Sequence, residues 1–548
     1  MVRWFDPHQL VDTVARVVVS GVWSSYADSR ELQAMVPSQH HDRSDLPELW
    51  LDYVSDLGDG WNSTYTVARL LAREELELAW DGDRRLTRRG RILIMGGDQV
   101  YPVPKRTEYE NRLIGPYRAA MPCAPHGGPD LFAIPGSHDW YDGLINFTNV
   151  FCRGRPIGGW STSQTRSYFA LKLPHRWWLW GVDMQFGDYL DEAQLRYFSD
   201  AAAAGMEPGD RIIVCMATEV ESGRKSAEVS SDRNLEYLER EVVQPAGGRV
   251  VLHLKSGRHY YCRYQEEGGA GQLITAGGGG AFMHPTHDLP ERSDPHADEG
   301  RARYRRAAVY PSVSSSKRLR KRVFLLPAYN LPLAAVLGGA HILLAFMLNL
   351  HLRSRYLWLS FGELRRALWE SPTAFLLILL ILATFGGLVR LAHEASGATR
   401  LLVGFVHSVM LFTTLAAVMI AASRLSSGLG AGLGSLLAFL GIVAVLGGIG
   451  GVLGIAGYFW ATNLLGFHGN EAYAPLHHAD YKNFLRLHID TDGALTVYPV
   501  AIDRVGRKWQ CCPEAPAHAP WLAPLGAEPA SHLIEAPIRV DDRLGPGG

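Results

Sequence analysis

A long apolar stretch is the feature that most limits how this chain can fold. Residues 331–465 are dense in Leu, Ala, Val, Ile and Gly, and their only acidic residues are Glu363, Glu370 and Glu394. A helix that crosses a bilayer needs about 20 mostly apolar residues. Because several windows of that kind follow one another, helices buried in a soluble core explain the stretch poorly. We therefore expect an integral, multi-pass membrane protein.

Four windows within this stretch are long enough to cross a bilayer. They are residues 331–350, 373–392, 401–422 and 435–461. The last window lies in a long Gly-rich run that has room for one tilted span or two short ones, so four and five spans both stay open. Few polar residues interrupt the windows, and we interpret the segment as an anchor rather than a transporter.

The residues before the first span are strongly basic. Residues 301–322 carry nine Arg or Lys and no acid, and we assign 301–330 as a basic linker. Basic residues that flank a span stay on the cytoplasmic side, so the preceding domain is expected there. The same residues suit anionic lipid headgroups. Arg353, Arg355, Arg365 and Arg366, which follow the first span, weaken this asymmetry.

Two segments outside the membrane windows have readable patterns. Residues 1–44 form an N-terminal helical segment with an amphipathic helix over 8–20. Its apolar face could pack on the soluble domain or lie on a membrane, and we expect packing. Residues 466–510 form a β-hairpin segment, because apolar and polar residues alternate over 483–503 and Asp492-Gly493 suits the turn. A hairpin that completes the first domain requires an even number of spans, which favours four. Residues 511–548 are rich in Pro, Ala and Gly and are expected to be poorly ordered.

Composition excludes some classes of function. The net charge is -1, so no nucleic-acid partner is predicted. The six cysteines include no Cys-x-x-Cys pair, which argues against a zinc finger or a disulfide framework and favours a reducing compartment.

Residues 45–300 have the pattern of an α/β domain. Short apolar runs without alternation, typical of strands buried on both faces, each end in polar residues. These runs are 49–60, 91–101, 131–140, 211–219 and 249–261. Helical patterns occupy 64–80 and 190–203. Sites in α/β sheets assemble beyond the carboxyl ends of the strands, so we expect the polar residues to meet there.

The chemistry of these polar residues suits metal ions. Asp and His side chains, together with a Tyr phenolate, offer oxygen and nitrogen ligands for Fe, Mn or Zn. Two such ions can clamp a phosphoryl group and generate hydroxide from bound water. The pattern therefore favours metal-assisted phosphoryl chemistry.

The order and spacing of the motifs resemble the calcineurin-like metallophosphoesterases, especially the purple-acid-phosphatase pattern DxG, GDxxY, GNH(D/E), VxxH and GHxH. The matching segments here are Asp56-Leu57-Gly58, Gly97-Asp98-Gln99-Val100-Tyr101, Gly136-Ser137-His138-Asp139, Val214-Cys215-Met216-Ala217 and Ser256-Gly257-Arg258-His259. The resemblance implies a four-layer β-sandwich flanked by helices. It also implies hydrolysis of a phosphomonoester or phosphodiester by metal-bound hydroxide.

The resemblance assigns roles to individual residues. It implies that Asp56, Asp98, Tyr101 and His259 bind one ion. It also implies that His138 acts beside the leaving group as a catalytic residue, with Asp139 as its possible orienting partner.

The second ion of the family pattern has lost its other ligands. Ser137, Ala217 and Gly257 stand where Asn and two His are expected, and Ala and Gly offer no side-chain donor. Four residues are candidate substitute ligands: Ser137, Glu219, His253 and His284. Two hypotheses remain, a phosphoesterase with one or two ions and a catalytically impaired pseudophosphatase that binds or signals at the membrane. No organic cofactor is expected, and the substrate and oligomeric state stay open.

Overall fold

The computed structural model describes residues 1–24, 33, 35–37, 39–124, 127–184, 190–217, 234–293, 303–349, 359–376, 378–379, 382–383, 397–429, 432–466 and 468–540. They form two compact units. The first comprises Met1–Val2, Asp12–Ser316 and His478–Gly548, and the second comprises Arg3–Val11 and Lys317–His477. The first unit is therefore built from chain segments on both sides of the apolar stretch.

The strands, numbered in chain order, are β1 His41–Asp42, β2 Leu49–Val54, β3 Glu75–Trp80, β4 Asp83–Arg88, β5 Ile92–Met95, β6 Asp130–Ala133, β7 Ser161–Thr162, β8 Phe169–Leu173, β9 Trp177–Val182, β10 Arg211–Ala217, β11 Arg249–Ser256, β12 Tyr261–Glu266, β13 Gln272–Ala276, β14 Arg292–Ser293, β15 Tyr304–Tyr310, β16 Lys482–Ile489, β17 Leu495–Ile502, β18 Trp509–Cys511, β19 Leu522–Pro524, β20 His532–Leu533 and β21 Ile538–Val540. The α-helices are α1 Pro7–Ser24, α2 Trp61–Leu71, α3 Arg106–Glu108, α4 Gly115–Ala120, α5 Ile145–Phe151, α6 Glu192–Gly205, α7 Val313–Arg320, α8 Leu326–Tyr329, α9 Leu331–Asn349, α10 Phe361–Glu370, α11 Gly397–Ser426, α12 Leu433–Leu464 and α13 Gly469–Tyr473.

Two large sheets organise the first unit. One has the strand order β1-β8-β9-β10-β11-β13-β12-β15-β14, and the other has the order β4-β3-β20-β17-β16-β2-β5-β6-β7, with β21 also paired to β17. Strands β2, β5 and β6 run parallel, as do β10, β11 and β13. The carboxyl ends of each parallel set therefore lie at one edge of their sheet. The five predicted apolar runs are confirmed as β2, β5, β6, β10 and β11.

Buried side chains explain why these runs carry no polar alternation. One cluster joins the two sheets through residues such as Leu51, Ile94, Leu179 and Ile213. A second cluster packs the other face of β2 and β5 against α2, α4 and α5. A third packs β9 and β10 against α6. Strands with apolar contacts on both faces are thus the source of the continuous apolar runs.

The predicted hairpin over 483–503 is confirmed as β16 and β17. Gly493 has φ +78° at its turn, a value that favours glycine. Strand β16 pairs antiparallel with β2, in the register Arg486 to Asp52. The segment after the apolar stretch therefore completes the sheet that begins before it.

Several sequence expectations about the first unit were wrong. The helix predicted over 64–80 ends at Leu71, and 75–80 form β3, because Leu76 and Leu78 alternate with exposed residues against β4. Residues 304–310 of the expected basic linker are strand β15, paired with β12. The tail expected to lack order contributes β19, β20 and β21. Short strands of this kind are stabilised by distant partners rather than by local pattern.

The helices of the second unit match the apolar windows in part. Three helices in the described chain, Leu331–Leu348, Gly404–Leu429 and Leu433–Leu464, are long and apolar enough to cross a membrane. The window 435–461 is therefore one continuous helix rather than two short ones. Most of the window 373–392 lies outside the described residues. The N-terminal helix is confirmed, but Leu10 and Val14 of its apolar face are exposed instead of packed.

Candidate functional site

Two aspartates lie on tight loops directly after parallel strands. Asp56 follows β2 and has φ +57°, and Asp98 follows β5 and has φ +49°. A left-handed conformation costs a non-glycine residue about 1–2 kcal/mol, and such strain often marks a functional site. Gly136 makes the arrangement possible, because a Cβ there would lie 2.2 Å from Asp98 Oδ1. The loops after β2, β5 and β6 therefore meet around Asp98.

The four residues assigned to the first metal ion converge on the hydroxyl of Tyr101. This oxygen lies 3.0 Å from Asp56 Oδ1, 3.2 Å from Asp98 Oδ2 and 2.9 Å from His259 Nε2. His259 Nε2 also lies 3.6 Å from Asp56 Oδ1. All four side chains are buried. Three separate strand ends thus bring two carboxylates, a phenol and an imidazole to one point.

Burial shifts the pKa values of three groups in this cluster. Burial, and then the nearby charge of Asp98, raise the pKa of Asp56 well above its usual value. Burial also raises the pKa of Tyr101, and it lowers the pKa of His259 well below the usual value, with the charge of Lys482 adding to that shift. Each shift disfavours the charged form of a buried group, and a nearby cation would favour the carboxylate and phenolate forms again. Such a site favours a bound cation.

The chemistry of these donors fits one metal ion. Within the described residues, no group of three or more His, Cys, Asp and Glu side chains is placed to hold a metal ion. Asp56, Asp98 and His259 instead reach one another through Tyr101, which is the fourth donor. Carboxylate, phenolate and neutral imidazole ligands are those that Fe, Mn and Zn accept.

The residues at the second ion's place do not fit a metal. Gly257 has φ +90°, which suits glycine, and its N–H donates to both carboxylate oxygens of Asp56 at 3.2 Å. Ala217 packs against the Gly97 backbone, since a Cβ on Gly97 would lie 2.5 Å from the Ala217 Cβ. Ser137 is half-buried. The Gly257 N–H therefore faces the Asp56 carboxylate, and the Ala217 methyl group lies against the backbone that precedes Asp98.

The candidate substitute ligands lie in different places. The His284 ring stacks on His259 at 3.8 Å, and its Nδ1 accepts the His259 backbone N–H at 3.2 Å. His253 is on β11 but lies 3.9 Å from Glu239, which belongs to the helical turn Glu239–Val243. Glu219 lies outside the described residues.

His138 and Asp139 have separate hydrogen-bond partners, although Asp139 was expected to orient His138. The Nδ1 atom of His138 lies 2.8 Å from the carbonyl oxygen of Pro102, and its backbone N–H donates to Asp98 Oδ1 at 2.8 Å. Asp139 accepts hydrogen bonds from the backbone N–H groups of Gln99 and Gly136 and from the Tyr109 hydroxyl. Asp139 therefore ties two loops together, and burial raises its pKa to about 8.

Several polar groups beside the site belong to none of the five motifs. Lys482 Nζ and both polar atoms of the Asn483 side chain are buried, and neither residue's side chain has a hydrogen-bond partner among the described residues. Burial lowers the pKa of Lys482 to about 8. Asn483 packs against Gly278, where a Cβ would lie 2.2 Å from Asn483 Nδ2. The only hint of Lys482 and Asn483 in the sequence is that they begin the hairpin that was expected to complete the first domain.

Comparison with known proteins adds little. No protein-family model and no curated protein sequence matches this chain. A solved structure described as "GAP50 the anchor in the inner membrane complex of Plasmodium" is 14% identical, with a TM-score of 0.31 over 43% of this chain and 74% of that chain. A structure described as "Structure of PhoD" is 10% identical, with a TM-score of 0.28 over 45% of this chain and 59% of that chain. Scores this low establish no relationship between this chain and either structure.

Proposed function

We propose that this protein is a membrane-anchored, metal-dependent phosphoesterase that hydrolyses a phosphomonoester or phosphodiester. The convergence of Asp56, Asp98 and His259 on the Tyr101 hydroxyl carries this proposal. The two facing sheets with helices packed on their outer faces support a four-layer sandwich of the metallophosphoesterase type.

Each residue of the site has a part in this chemistry. Asp56, Asp98, Tyr101 and His259 would hold one Fe, Mn or Zn ion, which when bound supplies Lewis acidity and a more acidic water molecule. A carbonyl oxygen can only accept, so the Nδ1 of His138 carries the proton that faces Pro102. The Nε2 of His138 is then the nitrogen that can exchange a proton with a leaving group. The His138 ring lies against the rings of Tyr101 and Tyr141, with centroid distances of 4.4 Å and 4.9 Å.

A second candidate function is a pseudophosphatase that binds a phosphorylated ligand or a partner at the membrane. The residues at the second ion's positions support it, because Ala217 and Gly257 have no side-chain donor where the family pattern has two histidines. Loss of one ion from a two-ion clamp removes several kcal/mol of transition-state stabilisation. Measured turnover distinguishes the two functions.

The topology of the membrane segment belongs to this proposal. Strand β16 follows the apolar stretch and pairs with β2, which precedes it, so both ends of the stretch are on one side of the membrane. This arrangement requires an even number of crossings. Three helices of the described chain are long and apolar enough to cross a membrane. We infer a fourth crossing within 373–392 and place the first unit on the cytoplasmic side, next to the basic residues 317–322.

Hydrolysis by the full-length protein in detergent tests the proposed activity. The substrates are p-nitrophenyl phosphate and bis(p-nitrophenyl) phosphate, each assayed with Mn, Zn and Fe. Tyr101→Phe should reduce turnover at least tenfold. Tyr117→Phe is the matched control, because its hydroxyl is also buried but has no hydrogen-bond partner among the described residues. No turnover by the natural protein with any of the metals would favour the pseudophosphatase.

A further inference from the structure

A cluster of basic side chains lies immediately before the first membrane helix. We call residues 317–322 the basic collar; they span the end of α7 and the start of the 3-10 helix Lys321–Leu325. Lys317, Arg318 and Lys321 are exposed. Within the described chain, no carboxylate lies within ion-pair distance of Lys317, Arg318, Arg320 or Lys321. Lys317, Arg318, Arg320 and Lys321 therefore present positive charge that the described part of the protein does not neutralise.

Exposed apolar side chains continue the collar toward the membrane helix. Phe324 is 43% exposed, Leu325 48% and Tyr329 41%, and α9 begins two residues after Tyr329. Basic residues next to aromatic residues at the end of a span are typical of the headgroup region of a bilayer. The order of charge, aromatic ring and span places the collar at headgroup level.

The segment that directly follows the collar packs within the second unit. Val323 and Leu326 are buried, and the Phe324 ring lies 6.0 Å from Trp460 of α12. The side-chain amide of Asn330 donates to the carbonyl oxygen of Pro475 at 3.2 Å.

The helix that follows α9 in the described chain carries no such excess of charge. Helix α10 contains Arg365 and Arg366 but also Glu363 and Glu370, so its formal charges cancel. Both arginines are exposed. They provide a natural comparison for the collar.

We propose that the basic collar is a binding surface for the anionic headgroups of phospholipids. Phosphate oxygens accept charge-assisted hydrogen bonds from Lys and Arg, and basic residues near an anionic leaflet each contribute to its attraction. This proposal is independent of the proposed phosphoesterase activity.

Titration of the full-length protein in uncharged detergent tests the collar. Short-chain phosphatidylglycerol is the probe and phosphatidylcholine of the same chain length is the reference. The natural protein should prefer phosphatidylglycerol. The triple variant Lys317→Gln, Arg318→Gln and Lys321→Gln should lose roughly fivefold in affinity per charge, on the order of 100-fold in all. The control variant Arg365→Gln with Arg366→Gln should keep the preference.

Two results would overturn the proposal. One is an equal affinity of the natural protein for both lipids, and the other is a triple variant that keeps the preference. A salt series on the natural protein keeps the test valid if the variant fails to fold. At 1 M salt the screening length falls to about 3 Å, so the preference should largely disappear. A preference that survives high salt would also contradict the proposal.

Discussion

A buried ion pair joins the two chain segments of the first unit, and its removal gives a measurable prediction. Arg486 of β16 is fully buried, and its Nε lies 3.1 Å from Asp52 Oδ1 of β2. The same guanidinium donates to the carbonyl oxygens of Arg73 at 3.2 Å and of Thr87 at 3.3 Å. Asp52 is 2% exposed and otherwise accepts only the Gly90 N–H among the hydrogen bonds described. Arg486→Met therefore leaves a buried carboxylate without its cation.

The size of the effect follows from this burial. Removing one partner of a buried ion pair costs about 3–5 kcal/mol. At about 2 °C per kcal/mol for a domain of this size, the unfolding temperature should fall by about 6–10 °C. The assay is thermal unfolding of the full-length protein in detergent, followed by tryptophan fluorescence. The double variant Arg486→Met with Asp52→Leu should recover much of the loss, because an apolar pair can replace a buried ion pair.

An exposed ion pair provides the control. Arg196 is 70% exposed and pairs with Glu192 one helical turn away, so Arg196→Met should leave the unfolding temperature almost unchanged. If Arg486→Met behaves like Arg196→Met, then β16 does not pair with β2 and the two segments do not share one sheet.

Three further predictions concern single residues. Burial lowers the pKa of His41 to about 4, so its neutral ring stabilises the fold above pH 6.5, and that stability is lost as the pH falls toward 4. His41→Gln should flatten the fall in unfolding temperature between these pH values, and an unchanged slope would contradict the reasoning. Lys482→Met should keep or raise the unfolding temperature, since Nζ is buried without a hydrogen-bond partner among the described residues; a fall of several degrees would show a hidden partner. Gly257→Ala should destabilise the protein by about 1 kcal/mol because of its φ of +90°, and an equally stable variant would show that this loop can relax.

The fold could be predicted wherever local pattern and tertiary packing agree. The runs that became β5, β6 and β10 have apolar residues on both faces, and the turn at Asp492-Gly493 is encoded by its own residues. The pattern misled where a helical run passed directly into a strand, as at Leu76 and Leu78. The tail strands could not be predicted because their stability comes from pairing with β17.

The candidate site could be predicted in part. Asp56 and Asp98 follow neighbouring parallel strands of one sheet, so their proximity could be predicted. His259 follows β11 of the other sheet, so its approach depends on how the two sheets pack. The partners of Asp139 could not be foreseen, because loop hydrogen bonds to Gln99 and Gly136 depend on the exact path of the chain. Lys482 and Asn483 were missed because the whole membrane segment separates them from the motifs.

The metal content of the purified full-length protein tests the central claim most directly. Elemental analysis after loading with Mn, Zn or Fe should find one ion per chain in the natural protein and far less in Asp98→Asn. Asp59→Asn is the comparison, because the Asp59 carboxylate instead accepts the backbone N–H groups of Val2 and Phe282. Retention of the ion by Asp59→Asn and its loss from Asp98→Asn is the predicted result. A natural protein that binds no ion, or an Asp98→Asn variant that binds as much, would contradict the account.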